Sequence, residues 1–339
     1  MNNRVEGTTS DVRGLFDVSY QFKSIHFSHL NYEKREIMKN DLSDTVYLTP
    51  SYVLLDEVVI GVSAPWIKKK LKEIEKEKKN KYQIEENISH YKFKTWTLTD
   101  TSKYEFESNG ELFVPQYSKV DDSYLINPIN SIVRCRDNTA KPEFINMGRM
   151  LYEDFIFLFD KSFINNCTFF ENTAYKPENK SFVWLTFQSN KLDDMNGFII
   201  IDTLNHVILE AELNAGTDYN IKTKTNAALR NLIKTTNGFS YDEWVTSIRT
   251  KYKEKEGCYQ MDECHYKFYM KSKTQKKKTN RKFFSSVESV LMLGENDRKD
   301  DEPEWLKLPT PKYFYVFYTK EMQATEDALK KINFIYEEL

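Results

Sequence analysis

The feature that most constrains the fold is an alternation of apolar and polar residues that dominates the chain from residue 88 onward. Tyr91, Phe93 and Thr95 alternate with Lys92 and Lys94, and a period of two residues is typical of a half-buried β-strand. The 339 residues include 23 Phe, 21 Tyr and 5 Trp, but only 10 Gly and 9 Pro. Aromatic residues favour strands, so we expect a meander of long antiparallel strands.

Two hairpins are the clearest local predictions. The first has strands at 182–187, 197–202 and 207–213, with a turn at 193–197 that contains the Asn-Gly pair typical of tight hairpins. The second runs from 244 to 253, over a turn at 254–257, and back along 259–270. Shorter strands are predicted at 16–20, 25–27, 45–48, 55–61 and 313–318.

A different period predicts helices. Pro65 opens a segment in which Ile67, Leu71 and Ile74 recur at helical spacing, on a surface of Lys and Glu as far as about residue 80. Its lysines indicate either an anionic partner or a solvated helix face. Apolar spacing predicts one or two helices in 143–163, and further helices are predicted at 222–234 and 321–338. Helices of this kind would cover one face of the sheet.

Charge and length limit the class of protein. Lys and Arg number 49 and Asp and Glu 51, giving a net charge of -2, which is too balanced for a surface devoted to nucleic acid. The basic run 271–282 lies near the acidic run 295–304, and we expect a solvated hairpin tip there.

The sequence has no apolar run near the roughly 20 residues of a membrane helix. The length predicts two domains, which we place at 1–61 and 62–339.

The N-terminal motifs have a recognisable order. The turn Gly7-Thr8-Thr9-Ser10-Asp11 precedes Gly14 and Phe16, and then come the strand 25–32, the triplet 48–50 and the exit strand 55–60. This order resembles the second half of a carboxypeptidase-regulatory-like domain of Bacteroidetes surface proteins, with Asn31 in place of the usual Gly. The resemblance implies a partial transthyretin-like β-sandwich whose opening strands, and a leader, would precede residue 1. It also implies a periplasmic or outer-membrane location.

The remainder is similar to the partner region of carboxypeptidase-like regulatory domain-containing proteins. The spacing of apolar residues in 182–187, 197–202 and 207–212 is similar to that of lipoprotein-carrier folds. In those folds a curved antiparallel sheet wraps around helices. The expected fold class is therefore α+β and mostly antiparallel β, with a partial transthyretin-like β-sandwich module followed by a curved antiparallel sheet packed with a few helices.

The aromatic residues suggest where a ligand would bind. Part of the concave face could line an apolar cleft, and we predict Trp184, Phe187, Phe198 and Ile200 as its ligand-binding residues. Adjacent members of one strand cannot all point inward. The alternative is that the aromatic side chains fill the space between the sheet and the helices.

Catalytic and metal motifs are missing from the sequence. The five histidines have no His-Glu-x-x-His spacing, and no nucleophile elbow or phosphate-binding glycine loop is present. Cys258 and Cys264 are six residues apart, too far for a typical zinc pair, and are expected to be buried thiols or a disulfide. We therefore predict no metal, no cofactor and no catalytic residue.

These inferences favour a non-enzymatic cell-envelope protein that binds or scaffolds, holding an apolar ligand or a lipoprotein on the concave face. Its partners would be an unknown protein or an apolar ligand of the cell envelope, with membrane association and a homodimer through the incomplete N-terminal sheet as further options. An alternative is a glycan- or peptide-acting hydrolase with an unrecognised acid pair. A third interpretation is a cytoplasmic interaction protein.

Overall fold

The chain divides into two compact units, residues 1–56 and 57–339, whereas the sequence predicted the boundary at 61. The computed structural model describes residues 8, 10, 14–18, 21–29, 32–48, 61–83, 85–117, 124–135, 145–173, 175, 177, 179–192, 194–225, 228, 231, 234, 238–255, 257–276, 279–296, 314–315 and 334–337.

The first unit contains a two-stranded antiparallel hairpin. Strands β1 (Ser24–His29) and β2 (Tyr32–Met38) pair with Ile25 opposite Ile37, and a 3-10 turn follows at Lys39–Asp41. The predicted strand at 25–27 is confirmed. The described parts of the predicted strands at 16–20 and 45–48 have no strand geometry, and residues 55–60 lie outside the described residues. The β-sandwich stays a prediction.

The second unit consists of a large sheet with a few helices. The helices are α1 (Pro65–Lys81), α2 (Ile145–Tyr152), α3 (Phe155–Leu158), α4 (Lys161–Asn166) and α5 (Thr217–Lys224). The strands are β3 (Gly61–Val62), β4 (Asn87–Thr99), β5 (Lys103–Val114), β6 (Leu125–Cys135), β7 (Cys167–Asn172), β8 (Phe182–Ser189), β9 (Met195–Asp202), β10 (Val207–Ala215), β11 (Phe239–Lys255), β12 (Cys258–Lys276), β13 (Thr279–Asn296), β14 (Phe314–Tyr315) and β15 (Phe334–Glu337).

The predicted class, α+β and mostly antiparallel β, is confirmed. Described strands follow the order β14-β6-β5-β4-β13-β12-β11-β10-β9-β8-β7-β3, and β15 pairs with β6 in parallel. All other neighbours in this order are antiparallel. Three pairs in this order are not consecutive in sequence: β4 with β13, β3 with β7 and β14 with β6. The first of them joins the early strands to the late hairpin.

One face of the sheet, which we call the inner face, is buried across nine neighbouring strands. A continuous row of register partners crosses nine strands, and every member except the glycine is at most 6% exposed. The row is Phe187, Gly197, Leu213, Ile248, Tyr266, Ser289, Thr95, Phe106 and Val133. Side chains alternate between the two faces of a strand, so a shift of one residue in any of these strands would expose its buried side chains. The buried row therefore specifies how neighbouring strands pair.

The helices cover the inner face. Helix α1 begins with Pro65 at its first turn and buries Ile67, Leu71 and Ile74, which recur at the spacing of one helix face. Helices α3 and α4 add Phe155 and Phe163, whose rings contact those of Phe169 on β7 and Phe187 on β8. Phe159, between the two helices, packs against both of these helical rings. The aromatic surplus of the sequence therefore fills the space between helices and sheet.

The opposite, outer face carries charges in pairs. Lys94 Nζ lies 2.6 Å from Glu107 and Arg134 lies 2.9 Å from the same carboxylate. Farther along, Lys251 lies 2.9 Å from Glu263. These pairs are partly exposed cross-strand pairs, each contributing well under about 1 kcal/mol, and they keep this face compatible with water.

The predicted turn at 193–197 is one correction. Strand β9 begins at Met195, so the Asn-Gly pair lies inside the strand and not in the turn. Gly197 is needed there because it faces Phe187 and the backbone of β10: a Cβ on it would lie 1.9 Å from the Glu212 carbonyl oxygen. A glycine within a strand marks such a close approach of another backbone.

Helix boundaries are the other corrections. The segment 143–163 holds three short helices, broken at Glu153 and Asp154 and again at Phe159 and Asp160. The helix predicted at 222–234 is helical at residues 222–224, 228, 231 and 234, whereas α5 begins five residues earlier, at Thr217. Much of 226–237 lies outside the described residues. Residues 334–337 form a strand, so the helix predicted at 321–338 is wrong for those four residues. The strand predicted at 313–318 is confirmed at its two described residues.

We expect Gly197→Ala to lower the free energy of unfolding by at least about 2 kcal/mol, because β9 and β10 must separate to admit the methyl group. Urea denaturation of the full chain measures this change. Gly294→Ala is the matched control: its Cβ would meet its nearest neighbours at 3.4 and 3.5 Å, an ordinary contact, so a change under about 1 kcal/mol is expected. Equal losses in both variants would contradict the close approach of β9 and β10 at Gly197.

Candidate functional site

A cavity of about 40 Å³ lies at one end of the inner face. It lies where three parts of the fold meet: Tyr82 at the end of α1, the first residues of α3 and the ends of five strands. Its lining is mainly aromatic and aliphatic, with a few polar groups, the composition typical of ligand sites. The lining residues are Tyr82, Gln83, Ser89, Val114, Pro115, Tyr117, Tyr124, Leu151, Asp154, Ile156, Phe157, Tyr252, Tyr259, Gln260, Met261 and Leu293.

Asp154 and Tyr252 form the polar centre of the cavity. The Tyr252 hydroxyl donates to Asp154 Oδ1 at 2.5 Å and accepts from the backbone N–H of Ile156 at 3.2 Å. Asp154 precedes α3, whereas Tyr252 lies on β11, 98 residues away. The bond therefore fixes the start of α3 against the sheet.

The carboxyl group of Asp154 is only 5% exposed. Burial raises its pKa to about 6, and the hydrogen bonds from Tyr252 and Thr250 oppose this rise. The cause of the raised pKa is loss of hydration of the charged form. A carboxyl group that titrates near neutrality inside a cavity is a candidate for a functional group.

Tyr82 closes the wall beside α1. Its hydroxyl donates to the Ile208 carbonyl at 2.7 Å and accepts from the Ile208 N–H at 2.5 Å. Its ring packs edge-on against Tyr252, with centroids 5.3 Å apart. Gln83 follows with φ of 42° and donates its N–H to the Tyr259 carbonyl at 3.0 Å. This left-handed backbone is rare outside glycine, and it turns the chain away from α1 at the cavity.

Lys78 is an unusual buried cation next to this wall. The ammonium group donates to the carbonyls of Ile156 at 3.1 Å and Phe159 at 2.5 Å, and burial lowers its pKa. Glu75 opposes that effect electrostatically. Lys78 therefore holds the C-terminal end of α3, where helix carbonyls lack partners.

The cavity reaches the surface at five half-buried lining residues, which we call the mouth: Gln83, Tyr117, Phe157, Gln260 and Met261. The rings of Tyr117 and Phe157 are stacked with centroids 5.0 Å apart. The Tyr117 hydroxyl reaches the Ile156 carbonyl at only 3.4 Å, a long and weak hydrogen bond. The Tyr117 N–H donates to the Gln83 carbonyl at 2.9 Å, and the Lys78 ammonium lies 5.7 Å from the centre of the Tyr117 ring. The mouth is therefore held by ring stacking, one backbone hydrogen bond and a cation–π contact.

The predicted ligand-binding residues are divided between the two faces of the sheet. Phe187 is 2% exposed and packs on the inner face against Phe155 and Phe163. Trp184, Phe198 and Ile200 share the outer face, because Trp184 is the register partner of Ile200 and Phe198 faces Thr186. This division follows from strand alternation, as expected from the sequence for adjacent members of one strand. The ligand-binding role of the four residues stays a prediction.

The outer-face members form a small aromatic cluster. The rings of Trp184 and Phe198 lie 4.9 Å apart, and the ring of Tyr175 contacts Trp184 at 5.3 Å. The Arg249 guanidinium lies over the Phe198 ring at 5.4 Å, a cation–π contact. None of these residues lines the cavity.

The structure holds its four cysteines as free thiols. Cys258 and Cys264 lie on the same strand, about 20 Å apart at the strand rise per residue, so they cannot form a disulfide with each other.

No group of three His, Cys, Asp or Glu side chains in the described residues is arranged to hold a metal ion. Among the described helices, none is long and apolar enough to cross a membrane.

Sequence reasoning did not find Asp154, Tyr252 or Tyr82. Asp154 falls between two apolar helical segments, and its partner is distant in the chain. The tyrosines belong to the same alternating pattern as the rest of the core. A polar residue that interrupts the apolar period of 143–163 was the one available signal.

Comparison with known proteins adds no assignment. No protein-family model matches the chain, and no curated protein matches it significantly.

We expect the contribution of Asp154 to the stability of the protein to fall as pH rises from about 4 to above 6. The folded state holds the Asp154 proton over this range while the unfolded state has released it, so the unfolding free energy decreases by on the order of 2–3 kcal/mol. Asp154→Asn removes this dependence. Urea denaturation of both proteins at several pH values measures the difference between their slopes.

Tyr252→Phe is the second variant of this test. It removes a hydrogen bond that favours the charged carboxylate, so the pH at which stability falls moves upward. Parallel pH profiles for the unmodified protein and Asp154→Asn would show that this carboxyl group does not titrate as described.

Proposed function

We propose that the chain is a non-enzymatic binding protein whose cavity receives the apolar end of a ligand. The observation that carries this proposal is the combination of a mainly apolar lining with one polar pair, Asp154 and Tyr252, at its centre. Apolar walls supply affinity, and a few fixed polar groups orient the ligand. A ligand with a hydroxyl or amide group beside its apolar end would satisfy both parts.

The size of the cavity limits how such a ligand enters. A space of about 40 Å³ holds one or two water molecules and is too small for an acyl chain. Binding therefore requires the mouth to open. Tyr117 and Phe157 are the rings to be displaced. The contacts to be broken are their mutual stacking, the weak hydrogen bond of the Tyr117 hydroxyl, the contact of the Lys78 ammonium with the Tyr117 ring and the packing of both rings against the core. The closed form is then the ligand-free state, and the ligand supplies the energy of opening.

A hydrolase is supported less well. Asp154 is the one carboxylate among the described residues that line the cavity, whereas glycoside hydrolysis uses two carboxyl groups about 5 to 9.5 Å apart. Its raised pKa suits a general acid, but the second group is not among the lining residues. The binding role needs no second acid.

The cell-envelope location stays part of the proposal. It rests on the resemblance of residues 7–60 to a carboxypeptidase-regulatory-like domain of Bacteroidetes surface proteins. A periplasmic or outer-membrane-associated protein would meet apolar ligands such as lipids or lipoproteins there.

We expect the neutral fluorophore N-phenyl-1-naphthylamine to bind the full chain with increased fluorescence. Met261→Trp should weaken this binding about tenfold or more, a loss of about 1.4 kcal/mol, because the larger side chain fills the mouth. Titration of each protein with the fluorophore measures the dissociation constant.

Met292→Trp is the matched control, since Met292 is 50% exposed on the outer face. Binding to this variant should stay within about twofold of the unmodified protein. If both tryptophan variants bind equally well, the fluorophore site is not this cavity, and the proposal fails for this class of ligand.

A further inference from the structure

The solvent-facing side of α1 carries a row of lysines. Lys69, Lys72, Lys76 and Lys79 are all exposed and recur at spacings of three and four, so they lie along one side of the helix. At 1.5 Å per residue the row is about 15 Å long. The buried residues Ile67, Leu71, Ile74 and Lys78 lie on the opposite side.

The acidic residues of α1 do not neutralise this row. Glu73 lies 2.8 Å from Lys70, and Glu77 lies 2.9 Å from His206 Nδ1 on the turn between β9 and β10. Glu75 Oε2 is buried. None of the four lysines forms an ion pair with a carboxylate in the part of the chain that the structure describes.

Charge is concentrated in this helix. Residues 65–81 contain eight lysines and three glutamates, a net charge of +5, in a chain whose net charge is -2. Positive charge on one helix side attracts an anionic surface, while the rest of the chain does not favour polyanions in general.

Exposed apolar side chains border the row. Trp66, 39% exposed, lies at its N-terminal end. Leu204, 77% exposed, is on the turn whose His206 contacts α1. Lysines next to protruding Trp and Leu side chains are typical of proteins that lie on a membrane surface.

We propose that the lysine side of α1 binds the surface of a bilayer with anionic lipid headgroups. The lysines supply the electrostatic attraction to such a surface, and the Trp66 ring enters the interface, where tryptophan is favoured. A nucleic acid fits less well, because the apolar side chains beside the lysines would gain no partner from a phosphate backbone. This inference is independent of the cavity and its ligand.

The experiment is sedimentation of the full chain with vesicles of phosphatidylcholine alone or with 30% phosphatidylglycerol, a composition of roughly physiological anionic charge. We expect binding only to the anionic vesicles, with the bound fraction falling as salt rises. The variant with Lys69, Lys72, Lys76 and Lys79 changed to Gln should lose at least about 30-fold in partition coefficient. Trp66→Ala should lose a few-fold.

A control of equal charge separates this surface from general electrostatics. Changing Lys92, Lys253, Lys267 and Lys282, which are exposed on strands, to Gln gives the same net charge and should leave binding within about threefold. Circular dichroism of both variants verifies that they are folded.

Three results would overturn the proposal. The first is no binding of the unmodified protein to anionic vesicles, and the second is an equal loss in both lysine variants. The third is binding of a single-stranded oligonucleotide that depends on the α1 lysines without any binding to vesicles, which would assign the row to nucleic acid.

Discussion

The constraint on which the second unit depends is that one face of a very wide antiparallel sheet must be kept from water. Strands with a two-residue period place every other side chain on the same face, and in this sheet that face is apolar or small and polar across nine strands. Helix α1 and the short helices α2 to α4 lie over it. Their apolar spacing therefore follows from the sheet, and their brevity in 145–166 follows from the need to change direction over it.

Tyr82 shows how the helix layer is attached. The regular pairing of β10 with β11 begins at Glu210, and β10 has an irregular register next to Ile208. The Tyr82 hydroxyl bonds both backbone groups of Ile208, so it takes the place of a strand partner. Buried backbone groups left without partners are costly, and this residue at the end of α1 satisfies two of them.

The cavity arises where this packing ends. Lys78, Tyr82 and Asp154 occupy the junction of α1, α3 and the strand ends, and each brings a polar atom into the interior. Burial shifts the pKa of all three groups, upward for Asp154 and Tyr82 and downward for Lys78. A core that served packing alone would do better with apolar residues at these positions. The proposed ligand-binding role rests on this polar junction, which is enclosed by tyrosines.

The sequence was informative where a single period dominates. Alternation predicted the strands of 182–213 and 244–270, and helical spacing predicted α1 to within a residue. Gly197 was assigned to a turn because Asn-Gly is a turn signal, yet its role depends on the backbone of β10, which no local pattern reveals. The four predicted ligand residues were separated by strand alternation. Asp154 and Tyr252 meet only because α3 lies over β11. The spacing of residues along the sequence does not predict this tertiary contact.

Native mass spectrometry of gently purified protein, repeated after denaturation, tests the binding role most directly. The cavity account predicts an additional mass of lipid-like size on the folded protein that is lost on denaturation and is absent from Met261→Trp. A bare chain from its native source, together with no uptake of an added apolar ligand under the same conditions, would contradict it.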